Sequence, residues 1–250
     1  MVGPANVGQT NHYSTGSPTV NLPYDTQIKT LDPIFAEMTA ATDQKAWAGN
    51  PELTTREKVL LSVVADVCQQ TLGLPFEAHV TMGLQHGVDA DDLRELLRFI
   101  AYDSGYPAAL AALARLTDIE REQGLAGPTG QGHPVNGDGA GSPIPAPTRR
   151  AVHNLDAGFA DYMDLQSRMR SGMRRLSVRE RAFATMTVDV LYQTLEESFR
   201  VHVTRAISTG ATPEEVRAVV RFSAQFGMTK AWSGLRALNA LFTETGTVFA

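Results

Sequence analysis

The chain has 250 residues, of which 43% are hydrophobic and 20% charged, and its formal net charge is -5. A chain of this length and composition can bury a substantial core, either as one large domain or as two small ones. The acidic balance argues against a nucleic-acid or membrane-surface protein, because either partner would need a basic face.

The N-terminal residues and the cysteine content bear on the cellular compartment. Residues 1–25 are polar and rich in Gly, Pro and Ser, which predicts a flexible tail with no signal peptide. The single cysteine, Cys68, excludes an internal disulfide or a cysteine-rich zinc site and fits a reducing cytoplasm. Because the histidines are scattered and no apolar run is long enough to span a bilayer, we expect neither a metal site nor a membrane helix.

The most informative feature is an internal repeat, found when the chain is compared with itself at an offset of 123 residues. Residues 66–81 read DVCQQTLGLPFEAHVT, residues 189–204 read DVLYQTLEESFRVHVT, and nine of the sixteen positions are identical. A repeat of this length indicates one structural unit present twice. We therefore predict a first copy of the domain at 26–126 and a second copy at 148–250.

The segment between the copies, residues 127–147, is dense in Gly and Pro. This composition is typical of a mobile linker rather than of a packed element. A lid folded over a site is the alternative to a plain tether.

Both copies show helical periodicity and no sustained alternation of polar and apolar residues, so the predicted class is all-α. Capping boxes, Thr54-x-x-Glu57 and Ser177-x-x-Glu180, predict the start of a buried helix in each copy. Three further helices are expected per copy. They carry His79 or His202, begin at Asp89 or Thr212, and follow Gly105 or Gly227.

Six arginines lie close together near the start of the second copy's buried helix. This cluster could attract an acidic ligand or a neighbouring subunit, but a solvated helix end is the favoured interpretation. Its members are Arg168, Arg170, Arg174, Arg175, Arg179 and Arg181.

The same ordered set of residues occurs in both copies. It comprises Arg56-Glu57, His79, Gly87-Val88-Asp89 and Tyr102 to Ala109 in the first, and Arg179-Glu180, His202, Gly210-Ala211-Thr212, Phe226-Gly227 and Ala231 in the second. This pattern resembles the carboxymuconolactone decarboxylase and AhpD superfamily, over roughly residues 30–120 and 150–244. The resemblance implies two tandem AhpD-like helical bundles, and a homo-oligomer (trimer or dimer) that binds a small-molecule substrate.

The sequence departs from the peroxidase branch of that superfamily, which has a Cys-x-x-Cys pair just before the histidine. The corresponding positions here are Leu72 and Pro75, then Leu195 and Ser198, and none can form a thiolate. Alkylhydroperoxidase activity is therefore disfavoured.

The decarboxylase branch has Arg-x-His at the same point. Arg200 keeps that pattern before His202, whereas Glu77 replaces the arginine before His79. An imidazole can deliver a proton and a guanidinium can hold a carboxylate, so decarboxylation needs no cofactor in principle. However, residues two apart on a helix point about 200° away from each other, so Arg200 either serves another site or forms a salt bridge.

These considerations select two sets of candidate residues. The catalytic candidates are His202, His79, Arg200, Glu180 and Glu57, the last two by resemblance to a proton-relay glutamate. The substrate-binding candidates are Glu77, Tyr102, Tyr106, Phe226 and Trp232. Most have a structural alternative: a buried core imidazole for the histidines, helix capping for Glu57 and Glu180, and core packing for the aromatic residues.

The leading hypothesis is a cofactor-independent acid/base enzyme that acts on a small oxygenated metabolite, a lactone or oxo-acid, by decarboxylation or a related cyclisation or isomerisation. A non-catalytic binding or scaffold homologue is the alternative.

Asp66 and Asp189 lie at the ends of apolar helices, where a buried carboxylate without a partner would cost free energy. We therefore expect both to be hydrogen-bonded, and the histidines are candidate partners.

Overall fold

The computed structural model describes residues 25–125, 127–128, 135 and 143–246, and no strand occurs among them. The predicted all-α class is therefore confirmed for this part of the chain. The predicted tail falls almost wholly outside the described residues, and so does most of the predicted linker. None of the described helices is both long and apolar enough to cross a membrane.

Each copy contributes six α-helices to the described structure. Those of the first copy are α1 (Asp25–Leu31), α2 (Pro33–Asp43), α3 (Thr55–Gln69), α4 (Leu74–Gln85), α5 (Ala90–Ser104) and α6 (Tyr106–Glu122). Those of the second copy are α7 (Ala146–Leu155), α8 (Ala157–Arg170), α9 (Val178–Tyr192), α10 (Glu197–Ser208), α11 (Pro213–Phe222) and α12 (Met228–Thr245). A π-helical turn, Gln44–Ala48, follows α2, and a 3-10 turn, Ser223–Phe226, follows α11.

The predicted helix starts are confirmed by their capping geometry. The Glu57 amide donates to Thr54 Oγ1 at 3.1 Å, and Glu57 Oε2 accepts from the Thr54 amide at 2.8 Å. Ser177 and Glu180 make the same reciprocal pair at 3.1 and 2.7 Å. These contacts satisfy backbone amides that have no partner in the first helical turn, which fixes where α3 and α9 begin.

The two copies share one core because their central helices, α3 and α9, pack directly against each other. Val63 and Val64 of α3 and Phe183 and Val190 of α9 are completely buried. A helix that is apolar on nearly all sides must be covered on all sides, and each central helix supplies part of the cover for the other.

Reciprocal ion pairs close the junction between the copies at the start of these helices. Arg56 Nε donates to Glu180 Oε1 at 2.7 Å, and Arg179 Nε donates to Glu57 Oε1 at 2.6 Å. The same repeated dipeptide thus pairs with itself across the junction, which gives the chain an approximate twofold arrangement.

The interpretation of the arginine cluster as a solvated helix end holds only in part. Arg174 and Arg175 are exposed. However, Arg170 pairs with Asp103 at 3.0 Å and Arg175 with Asp92 at 2.9 Å, and both carboxylates belong to the first copy. Two arginines of the cluster thus pair with α5, and the packing of the two copies creates these contacts.

Candidate functional site

Each copy contains an aspartate–histidine pair at one end of its central helix. The Nδ1 of His79 lies 2.6 Å from Asp66 Oδ2, and the Nδ1 of His202 lies 2.6 Å from Asp189 Oδ2. A left-handed residue ends each central helix, Gln70 with φ 58° and Gln193 with φ 61°, so that the next helix turns back toward the carboxylate. The predicted hydrogen bonding of both aspartates is confirmed.

The Asp189 carboxylate is held by three groups. Its Oδ1 accepts from Thr194 Oγ1 at 2.8 Å and from Ser198 Oγ at 2.7 Å, while Oδ2 faces the imidazole. Asp66 has the equivalent threonine contact, from Thr71 at 2.9 Å. Hydrogen-bond donors stabilise an ionised carboxylate, and such a carboxylate accepts the Nδ1 hydrogen and fixes the imidazole tautomer.

The remaining nitrogen of His202, Nε2, is the atom available for chemistry. Within the described part of the chain it has no hydrogen-bond partner, and the residue keeps 8% of its surface exposed. A ring that is oriented through Nδ1 and open at Nε2 can exchange a proton with a small molecule.

His79 is contacted by a residue of the opposite copy. The ring of Phe226, in the second copy, stands edge-on to His79 with the centroids 6.3 Å apart. Two hydrogen bonds, donated from equivalent positions of the repeat, join the copies. Gln69 of the first copy donates to the Phe226 carbonyl, and Tyr192 of the second copy donates to the Ser104 carbonyl at 3.4 Å. We call the surroundings of His79 the first site and those of His202 the second site.

The second site is lined by charged groups. Arg170 donates to Asp103 Oδ2 at 3.0 Å, and its guanidinium lies 3.8 Å from the ring centroid of Tyr102 and 5.0 Å from that of Phe99. Burial raises the pKa of Asp103, and the charges of Arg170 and His202 only partly oppose that rise. Asp103 is therefore a carboxylate close to His202 whose proton affinity is increased.

The first site has apolar residues at the corresponding positions. At an offset of 123, Trp47 stands where the second copy has Arg170, and Phe226 stands where the first copy has Asp103. Trp47 contacts Phe222 with the ring centroids 5.5 Å apart, and Phe222 contacts Phe226 at 5.9 Å. One acidic group remains, Asp43, whose pKa is raised to about 6 by burial and by Asp25, against a lowering effect of His79.

Several predicted site residues lie elsewhere. Arg200 pairs with Glu244 at 2.7 Å on the surface, where it lines a cavity of about 390 Å³ between α10 and α12 that excludes His202. Glu77 pairs with Arg115 at 2.7 Å, and Trp232 is 66% exposed. The structure thus does not bring these three side chains together with either imidazole.

The other candidates fall into two groups. Glu57 and Glu180 make the capping contacts and the ion pairs at the junction of the copies. These contacts support helix capping, rather than proton relay, as the role of both residues. Tyr102 lies under Arg170 at the second site, whereas Tyr106 is 48% exposed, and its pKa is raised by partial burial and by Tyr162. Tyr102 and Phe226 are therefore the aromatic candidates that contact a site.

Asp103 and Arg205 were not among the residues selected from the sequence for the second site, and Arg170 was named only as a member of the arginine cluster. Arg205 could have been found from the sequence, because it follows His202 by three residues. Side chains three residues apart lie on the same face of a helix. Asp103 and Arg170 required knowledge of which helix ends of the two copies meet.

Cys68 is not poised for redox chemistry. Burial raises the pKa of its thiol to about 12. A thiol with so high a pKa forms almost no thiolate near neutral pH. Across the described ranges, no group of three or more His, Cys, Asp or Glu residues is arranged to hold a metal ion.

Comparison with known families identifies both copies. The model of the carboxymuconolactone decarboxylase family matches residues 33–118 and 159–240. The chain belongs to the carboxymuconolactone decarboxylase family. The two matched segments contain both Asp–His pairs, so the tandem organisation and the resemblance noted in the sequence are confirmed.

A crystal structure also aligns with this carboxymuconolactone decarboxylase family member. It is of a protein from Burkholderia xenovorans LB400 provisionally named a gamma-carboxymuconolactone decarboxylase subunit. The alignment covers 89% of this chain and 92% of that chain, with 18% identity and a TM-score of 0.49. No curated protein sequence matches the chain significantly.

Proposed function

We propose that this family member is an acid/base enzyme that uses His202 and requires no cofactor. Its substrate would be a small lactone or oxo-acid, and its reaction a decarboxylation or a related cyclisation or isomerisation. The observation that carries the proposal is the Asp189–His202 pair, in which Nδ1 is held at 2.6 Å and Nε2 has no partner among the described residues.

The chemistry of decarboxylation matches what such a pair provides. When the carbon–carboxylate bond breaks, carbon dioxide leaves and the electron pair is delocalised into the neighbouring carbonyl as an enolate. The Nε2 hydrogen of protonated His202 then passes to the enolate carbon, and the imidazole regains a proton from water. Asp189 stabilises the protonated ring through Nδ1 throughout.

The test is turnover of gamma-carboxymuconolactone and a panel of related lactone and oxo-acids, followed by release of carbon dioxide and by NMR of the product. We expect His202→Ala to lower the rate at least about 100-fold, the usual contribution of a general acid. Its thermal midpoint should fall by only a few degrees.

His79→Ala is the matched variant in the first copy. We expect it to retain most of the turnover, because its site has Trp47 and Phe226 at the positions of Arg170 and Asp103. Full activity of His202→Ala would refute the proposal, and global unfolding of that variant would instead support a core imidazole. Asp189→Asn, which leaves the size of the side chain unchanged, gives a second measurement that does not depend on removing the ring.

The first copy favours a different role, that of a binding or structural unit. Its imidazole faces Phe226, with Trp47 and Phe222 beside it, and Asp43 is an acidic group near it. Loss of ligand binding without loss of turnover in His79→Ala would support this second role for the first copy.

We also infer that the chain assembles with further copies of itself, as a dimer or trimer. Large apolar side chains are exposed at matching positions of the two copies, and a contiguous apolar face is typical of an interface. These are Leu31, Phe35 and Met38 in the first copy and Leu155, Phe159 and Tyr162 in the second, from 56% to 87% exposed. Light scattering should give a multiple of the chain mass that falls in Phe35→Asp or Phe159→Asp.

A further inference from the structure

Arg205 shares a helix face with the imidazole of the second site. It follows His202 by three residues on α10, which places the two side chains about 60° apart around the helix axis. By contrast, Arg200 points to the opposite side, where it pairs with Glu244. Arg205 is therefore the cation of α10 that can reach a molecule bound at His202.

Arg205 is exposed and uncommitted. No carboxylate or carbonyl in the described part of the chain accepts a hydrogen bond from its guanidinium. Partial burial lowers its pKa, and the nearby charges of Arg170 and Arg181 lower it further, while Asp103 acts in the other direction. A guanidinium in such a position lacks the anion that would stabilise it.

The neighbouring cations are already bound. Arg170 is held by Asp103 at 3.0 Å, and Arg181 donates to the Met173 carbonyl. Asp103 also acts on the charge of Arg205, which Arg170 and Arg181 repel. Of these three guanidinium groups, Arg205 is the one without a hydrogen-bond acceptor in the described part of the chain.

The first site keeps one cation of this arrangement, Lys58 at the position of Arg181, and that side chain donates to the Trp47 carbonyl at 2.6 Å. The residue equivalent to Arg205 is Met82, which is 4% exposed, and Trp47 and Phe226 occupy the positions of Arg170 and Asp103. The second copy thus has two guanidinium groups, those of Arg170 and Arg205, where the first copy has the apolar side chains of Trp47 and Met82.

We propose that Arg205 binds the carboxylate of the substrate beside His202, and that only the second site accepts such an anion. This inference rests on the proposed function and adds the substrate class and the copy that binds it. The planar guanidinium fork matches a carboxylate with two parallel hydrogen bonds, which orients the acid relative to Nε2 as well as holding it.

Binding of benzoate, with benzamide as its uncharged counterpart, tests the proposal without requiring turnover. The readout is the ¹H–¹³C signal of each histidine ring in the full chain, with His202 and His79 assigned from His202→Gln and His79→Gln. We expect benzoate to shift the His202 signal and leave the His79 signal in place, and benzamide to shift neither.

The decisive variant is Arg205→Gln, with Arg200→Gln as a matched control of equal charge change on the same helix. Arg205→Gln should raise the Kd for benzoate at least tenfold, and Arg205→Lys should do so less. Arg200→Gln should leave it unchanged. Because Arg205 has no partner among the described residues, Arg205→Gln should unfold at the same temperature as the parent chain.

Three results would overturn the inference: equal effects of Arg205→Gln and Arg200→Gln, equal binding of benzamide, or an equal shift of the His79 signal. The proposed function fails separately, if His202→Ala keeps full turnover while benzoate still binds through Arg205. Conversely, His202→Ala could lose turnover while Arg205→Gln binds benzoate as tightly as the parent chain. That result would refute this inference and leave the proposed function standing.

Discussion

Arg56 of the first copy donates its Nε hydrogen to Glu180 of the second copy at 2.7 Å. Glu180 also receives the Ser177 amide at the start of α9, so one carboxylate serves both the helix cap and the junction between the copies. Burial alone would raise the pKa of Glu180, but the hydrogen bonds from Ser177 and Arg56 bring it below its ordinary value.

The first prediction concerns the ion pair between Arg56 and Glu180. Glu180→Gln keeps a side chain that can cap the helix but removes the charge that Arg56 binds. We expect the free energy of unfolding at pH 7 to fall by about 1.5–3 kcal/mol, the usual effect of losing a hydrogen bond to a charged group. Chemical denaturation measures the change. Glu244→Gln, which removes an exposed partner of Arg200, is the control and should leave stability unchanged.

The difference in the free energy of unfolding between the parent chain and Glu180→Gln should depend on pH, which gives a further check. Because the folded state lowers the pKa of Glu180 below its ordinary value of 4.5, its ionised form stabilises the fold above that value. The contribution is lost as the pH falls through the pKa of the folded state. The gap between parent and Glu180→Gln should therefore narrow below about pH 4, and a constant gap would contradict the ion-pair explanation.

The second prediction is that Asp43 destabilises the fold at neutral pH. Its carboxyl is 7% exposed, faces the charges of Asp25 and His79, and has a pKa of about 6 instead of 3.8. The folded state holds the proton more tightly than the unfolded state, so this contribution to stability declines as the pH rises from about 4 to about 6. Asp43→Asn should raise the free energy of unfolding at pH 8, by at most about 3 kcal/mol.

The gain should disappear at pH 4, where Asp43 is protonated in the fold and resembles asparagine. Exposed Asp161 offers a control, since Asp161→Asn should have little effect at either pH. If Asp43→Asn destabilised the protein equally at pH 4 and pH 8, an ionised Asp43 would be a structural requirement and the prediction would be wrong.

The third prediction is that Cys68 is chemically inert. With its pKa raised to about 12 by burial, the thiol should react with iodoacetamide at pH 8 far more slowly in the folded protein than in guanidinium. Cys68→Ser should keep the turnover of the parent chain. Peroxide consumption that depends on Cys68 would contradict this and revive the peroxidase hypothesis.

The fourth prediction concerns close packing beside the helix that carries His79. A Cβ added at Gly83 would lie 2.9 Å from Val59 Cγ1 and 3.3 Å from Val88 Cβ. Gly83→Ala should cost about 1–2 kcal/mol, because overpacking outweighs the gain in helix propensity. Thermal unfolding measures it.

Gly73→Ala is the control for that substitution. Nothing lies within 4 Å of a Cβ added there, and Glu196 adopts a similar backbone at the equivalent position, with φ -95° and ψ -114°. We expect no loss of stability. A gain in stability for Gly83→Ala would show that Val59 and Val88 move apart without cost.

The capping boxes at Thr54 and Ser177, the helix starts at Asp89 and Thr212, and both histidines could be read from the sequence. Caps and helical periodicity depend on residues within a few positions of one another, so they are visible without knowledge of the packing. The internal repeat added the tandem organisation, because a duplicated unit leaves the same pattern twice.

What surrounds each histidine was decided by the tertiary structure. Arg200 and His202 match a family pattern in sequence, yet Arg200 forms a salt bridge with Glu244, one of the two alternatives that its helical spacing left open. The contacts of Asp103 with Arg170 and of Phe226 with His79 join residues of different copies.

The sequence alone determined the all-helical fold, the duplication and the two imidazoles, since each of these follows from local spacing. Only the packing of α3 against α9 decided which residues of one copy complete the site of the other. The physical reason is that burial of the central helices sets the relative position of the copies. Side chains as distant in sequence as Asp103 and Arg170 then meet because that position brings their helix ends together.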